Sequence, residues 1–240
     1  MALIDTPGFD DTYKSDAEIL ELTAKFLAET YSQDMLLSGI ILLQPISGNR
    51  VQGNERKRTR LFEKVCGPGA FSKVVIATTM WDDLKNQSQG NPRVEERRTS
   101  NDFWGKMVEH GAQITRHDNN PASAQRIVGM LLKNVKPVVL QMQTELAQND
   151  GRVAATSAGR QLDSDLDETS RKLLAELRDL ERESARNTAA LRAEMQELRQ
   201  KLEDAQNERD RLRESKVCVS LSLFYISLFI HALSLPQGVT

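Results

Sequence analysis

The chain has 240 residues, room for one or two domains, with a net charge of −2, 39% hydrophobic and 28% charged residues. That balance excludes a general nucleic-acid binder, the only basic run of note being N-E-R-K-R-T-R at 54–60. Cys66 and Cys218 are too few and too far apart for a disulfide framework, His110, His117 and His231 show no ligand spacing, and no secretory signal opens the chain, so the reading is a cytoplasmic protein with free thiols.

In chain order, A-L-I-D (2–5) reads as a short buried strand ending in a turn at Pro7 and Gly8. Residues 16–33 carry Ile19, Leu22, Phe26, Leu27 and Tyr31 near helical spacing. G-I-I-L-L-Q (39–44) reads as a strand buried on both faces, and 54–67 as a helix closed by Gly67. K-V-V-I-A-T-T (73–79) is the next strand, followed by a polar helix over 93–110, a weak strand at 112–115 and a helix over 121–135 with proline in its first turn. Strands alternating with helices over 1–140 predict an α/β domain with a parallel sheet.

The composition then changes. Residues 141–161, Gly-containing and polar at 149–161, read as a linker or weakly ordered join. From 162 to 216 there is no Gly or Pro, and positions 177, 184, 191, 198, 205 and 212 form a heptad column of Leu, Ser, Leu, Leu, Ala and Leu. This predicts a coiled coil that self-associates as a parallel dimer, the alternative being a solvated helix lying on the globular domain. Residues 217–235 are an uncharged run of about the ~20 residues that span a bilayer. With Arg211, Arg213 and Lys216 before it, the run reads as a tail anchor entered from the cytosolic side, or as translated non-coding sequence. A buried core helix is the weakest of the three readings.

Ligands of parallel α/β sheets sit outside the carboxyl ends of the strands, where three candidate motifs fall. In D-T-P-G (Asp5, Thr6, Pro7, Gly8), Asp5 offers a hard carboxylate for magnesium and Gly8 a backbone N–H for a terminal phosphate, with 9–12 as a switch. In V-V-I-A-T-T-M-W-D-D (74–83), Thr79 leads to Asp82, a carboxylate able to accept two hydrogen bonds from guanine. In R-H-D-N-N-P (116–121), Asn119 or Asn120 contacts the base or caps the next helix. The bland alternatives are a strand-to-turn junction for the first and a solvated turn carboxylate for the second.

With those residues in view, 1–140 resembles the back two-thirds of a septin-like, immune-associated (avirulence-induced) P-loop GTPase domain, a type found in many fungal proteins. The resemblance rests on L-I-D-T-P-G-F-D-D-T, on S-G-I-I-L-L-Q-P-I-S-G-N-R-V-Q-G-N-E-R-K-R-T-R-L-F-E-K-V-C-G and on V-V-I-A-T-T-M-W-D-D-L. Met80 stands where the pattern has lysine, no G-x-x-x-x-G-K-[ST] loop occurs anywhere, and Asp10 and Asp11 leave no catalytic base. The resemblance implies GTP/GDP binding with Mg²⁺, self-association through the coil and the G domain, and frequent membrane attachment. It also implies two further strands, one lying between 2–5 and 39–44, and hence a truncated chain with impaired nucleotide binding. The rival expectation is a nucleotide-free scaffold that oligomerises through its coil.

Overall fold

The computed structural model describes residues 2–9, 13–47, 52–133, 136–183 and 189–217. The fold is mostly helical around a three-stranded parallel sheet in the order β1-β2-β3: β1 Ile40–Pro45, β2 Val74–Thr79 and β3 Gln113–Arg116. Helix α1 spans Asp16–Ser32, α2 Gln52–Cys66, α3 Gly90–Thr99, α4 Gly105–Glu109 and α5 Pro121–Leu132. Then come α6 Gln141–Gln148, α7 Ser157–Glu183 and α8 Ala189–Glu214. The chain is α/β, as the alternation of strands and helices predicts.

Side chains alternate across a strand, so β2 feeds two cores. Val74 and Ile76 face the larger one, with Ile40, Leu42 and Ile114 beside them and α1, α2, α4, α6 and the α7–α8 pair above. Val75 and Ala77 face the smaller one, covered by Ile127 of α5 with Ile41 and Leu131. Gly39 lies so close to Leu131 that a Cβ there would come within 2.6 Å of it. Gly67 closes α2 as expected: its φ of +75° is the left-handed cap conformation, and its N–H donates to Glu63 O (2.8 Å).

Five expectations change. The strand expected to be buried on both faces, β1, lies at the end of the order β1-β2-β3 and is only half-buried, with Leu43 61% exposed. Residues 2–5 form no strand, because no neighbour forms a ladder with them among the described residues, and Leu3 is 65% exposed. The helix expected over 93–110 breaks into α3 and α4, where the Ser100-Asn101-Asp102 turn swings Trp104 fully into the core. The Gly105 and Phe103 N–H groups both donate to Ser100 O in that turn. The segment 141–161 is packed rather than loose: Met142, Leu146 and Val153 are fully buried, and Glu145 accepts from the Ser157 N–H at the start of α7. Finally, 162–216 is two helices, not one. Asp163 pairs with Arg213, Asp167 with Arg209 and Glu181 with Arg199, so α7 and α8 run antiparallel.

Candidate functional site

The carboxyl ends of the strands lie side by side, and the β2 end is the best-defined. Met80 follows Thr79 with φ +58°, a left-handed conformation costing a non-glycine residue about 1–2 kcal/mol. That kink sends Trp81 back into the protein, where its indole N–H donates to Thr78 O (3.1 Å). Gly90 lies against one part of the indole, too close for any side chain, and the Arg116 guanidinium stacks 4.3 Å from the ring centroid. Ile46 and Leu84 complete a small apolar cluster around it. Asp82 is thereby turned outward, exposed and without a hydrogen-bond or ion-pair partner among the described residues.

The β3 end is tied to it: the His117 N–H donates to Thr78 O (2.8 Å). Asp118 lies between Arg116 (2.6 Å) and Arg126 (3.2 Å), and the two guanidiniums, Arg126 first, hold its carboxyl below the usual carboxylate range. Asn120 is a helix cap, accepting from the Ser123 N–H (2.9 Å) ahead of Pro121. Asn119 is exposed at φ +51°. His117 Nδ1 and Ser123 Oγ are 2.8 Å apart, a spacing that suits a nucleophile pair. Ser123 is 1% exposed, however, and its hydroxyl donates to Asn120 O, so it serves the turn and not catalysis.

The phosphate side does not assemble. Asp5, Thr6 and Gly8 are exposed, Pro7 is half-buried, and Phe9 anchors the segment to the core. A Cβ on Gly8 would meet nothing within 4 Å, so no close approach to other protein atoms demands glycine there. Asp5 has no hydrogen bond or ion pair among the described residues, and no three His, Cys, Asp or Glu side chains converge on a metal position there. These residues do not by themselves fit a magnesium site. Two surface pockets lie elsewhere, among helices: one of about 540 Å³ beside Glu21, Arg211 and Lys216, the other of about 140 Å³ between α2 and α7.

Thr79, Asp82, Asn119 and Asn120 therefore lie at adjoining strand ends, whereas no hydrogen bond or ion pair ties Asp5–Gly8 to them among the described residues. Arg116 was the residue that motif reading passed over. Its signal was the R-x-D spacing with Asp118, which makes sense only once β3 lies beside β2. No protein-family model matches the chain, and neither does any curated protein or solved structure. Among the described residues no helix is long and apolar enough to cross a membrane; the run at 217–235 lies outside them from residue 218 onward.

Proposed function

We propose that the chain is a guanine-nucleotide-binding module of the septin-like, immune-associated GTPase type, in which the base side of the site is stronger than the phosphate side. The observation that carries this reading is Asp82, an exposed and unpartnered carboxylate held outward by the buried Trp81. Guanine presents its N1–H and exocyclic amine to such a group, and both hydrogen bonds are charge-assisted. A base-side contact without a phosphate-cradling loop gives weak binding, with a dissociation constant of roughly a millimolar, about 4 kcal/mol. Trp81, the residue before Asp82, reports on it directly. Titration with GTP and GDP in magnesium buffer should quench tryptophan fluorescence with that midpoint. Asp82→Asn should move the preference from GTP to xanthosine triphosphate, because it reverses one donor–acceptor pair. Binding that ignores the substitution removes Asp82 from the site.

A second reading, a nucleotide-free scaffold, is favoured by a different observation: the Asn120 side chain is occupied as a helix cap and Asp5 lies outside any strand. On that reading neither nucleotide changes tryptophan emission or amide chemical shifts at millimolar concentration.

A further inference from the structure

At the adjoining ends of β2 and β3 the indole is hidden and a different planar group faces out. Trp81 is only 4% exposed, with its N–H donating to Thr78 O and Gly90 lying against the ring. A ligand has no access to the indole face. The Arg116 guanidinium covers it instead, 4.3 Å from the ring centroid, and 39% of the Arg116 side chain remains exposed. Arg116 is the last residue of β3 and pairs in register with Thr78, so it stands one strand away from the turn that carries Asp82.

That guanidinium is held in place before any ligand arrives. Asp118 Oδ1 lies 2.6 Å from its Nε, and the other carboxylate oxygen of Asp118 accepts from Arg126 (3.2 Å). Arg126 also donates to Arg116 O (2.8 Å), which ties the end of β3 to α5. Ordering a long side chain costs conformational entropy, and a ligand that meets it already ordered escapes that cost. A guanidinium is flat, delocalised and more weakly hydrated than an ammonium, so it stacks on π systems. Its inner face already meets the indole, and nucleobases stack on arginine planes in the same way.

We propose that the outer face of the Arg116 guanidinium is the platform on which a purine base stacks. The proposal rests on the reading of this strand end as a nucleotide site, and it separates two roles there: Arg116 holds the ring plane and Asp82 reads its edge. The platform takes guanine and adenine alike, because both offer a π face, and selection between them belongs to Asp82. The test follows the Arg116 Nε–H in nitrogen-resolved NMR spectra of the full chain, the signal being assigned by its loss in Arg116→Lys. GMP, AMP or inorganic phosphate is added to millimolar concentration. A base stacked over the guanidinium should move that proton upfield by its ring current with GMP and with AMP, while inorganic phosphate leaves it in place. Arg116→Lys keeps the charge and loses the plane, and should weaken both nucleotides about tenfold. The spectrum of the unaltered chain decides the matter even if that variant loosens Trp81. An Nε–H that stays in place while GMP quenches Trp81 overturns the platform and leaves the Asp82 reading standing. Equal shifts with GMP and AMP, unchanged by Asp82→Asn, uphold the platform and remove Asp82. A proton that neither nucleotide moves, or that inorganic phosphate moves as far as GMP does, overturns the platform.

Discussion

At the scale of single residues, the molecule separates groups that hold the fold from groups free to meet a ligand. Arg97 and Glu55 belong to the first kind. Their side chains are only 9% and 8% exposed, and the guanidinium donates to both carboxylate oxygens, at 2.6 and 2.9 Å. The same guanidinium stacks 5.7 Å from the Phe103 ring centroid, tying α2 to α3 and the turn after it. Burying two charges gains little over an apolar pair, but removing one partner strands the other in a dry site. Arg97→Met should therefore cost about 3–5 kcal/mol, read as a lower urea midpoint at constant slope. The double replacement with Glu55→Leu should recover most of that loss; equal losses in the single and double variants would show that packing on Phe103 matters more than the charge. Asp82 is of the second kind, and its isolation is what makes it a candidate for a base.

At the scale of elements, helices with a strong local signal were legible and those set by tertiary contacts were not. The apolar spacing of 19–31 gives α1 to within one residue, its start fixed in the structure by the Ser15–Glu18 capping box, and Gly67 ends α2 where a left-handed cap is needed. The β2 run is rich in β-branched residues and the β1 run is continuously apolar from Ile40 to Leu43, so both stand out. Residues 2–5 have the composition of a strand, but a strand exists only with a neighbour, which composition cannot supply. Leu198, Ala205 and Leu212 of the heptad column are buried, but the column could not say that their partner is the chain's own α7, since that depends on Asp163 and Asp167 reaching Arg209. The docking of α8 on α1 is likewise tertiary, and it is sensitive to pH. Burial pushes the Glu208 carboxyl up, and the charges of Asp16 and Glu18 add to it, against the Ala17 N–H that favours the ionised form. With the folded value above the unfolded one, the fold prefers Glu208 protonated, so its contribution falls as pH rises from the ordinary glutamate value through the folded one. Glu18 runs the other way, held down by the Ser15 N–H and by Arg211. Glu208→Gln keeps an acceptor for Ala17 and drops the charge. It should leave the protein at least as stable at pH 7, with a shallower decline of melting temperature between pH 4.5 and 7. A variant that melts lower throughout would mean that the carboxylate's hydrogen bond outweighs its desolvation.

At the scale of the whole molecule, the question is whether the helical pair is an appendage or part of the body. A sequence divided at 140 and 162 makes it an appendage: an α/β domain, a join, and a coil that folds by associating with another coil. The packing argues otherwise. Ala158, Leu162, Leu166 and Leu212 belong to the same apolar core as Leu20 and Leu27 of α1, Leu61 and Val65 of α2 and Ile76 of β2. Backbone hydrogen bonds close the far end, from the Val217 N–H to Gly151 O (2.9 Å) and from the Val153 N–H to Ser215 O (3.3 Å). Leu162, Leu166 and Leu212 alone withdraw enough apolar surface to contribute about 2 kcal/mol each, and the surfaces of α1 and α2 beneath them gain as much shelter. Set against the 5–15 kcal/mol by which whole domains are stable, that is not a detachable part. A chain ending at Thr156 should keep its helical far-ultraviolet signal yet lose cooperative melting, bind a hydrophobic dye and be cut rapidly by protease within α1 and α2. The complementary fragment 157–217, added in trans, should restore a sharp transition and close those cleavage sites. If the shortened chain instead melts cooperatively within a few degrees of the full one, the pair is an appendage after all, and its contacts with α1 are a docking that the body does not need.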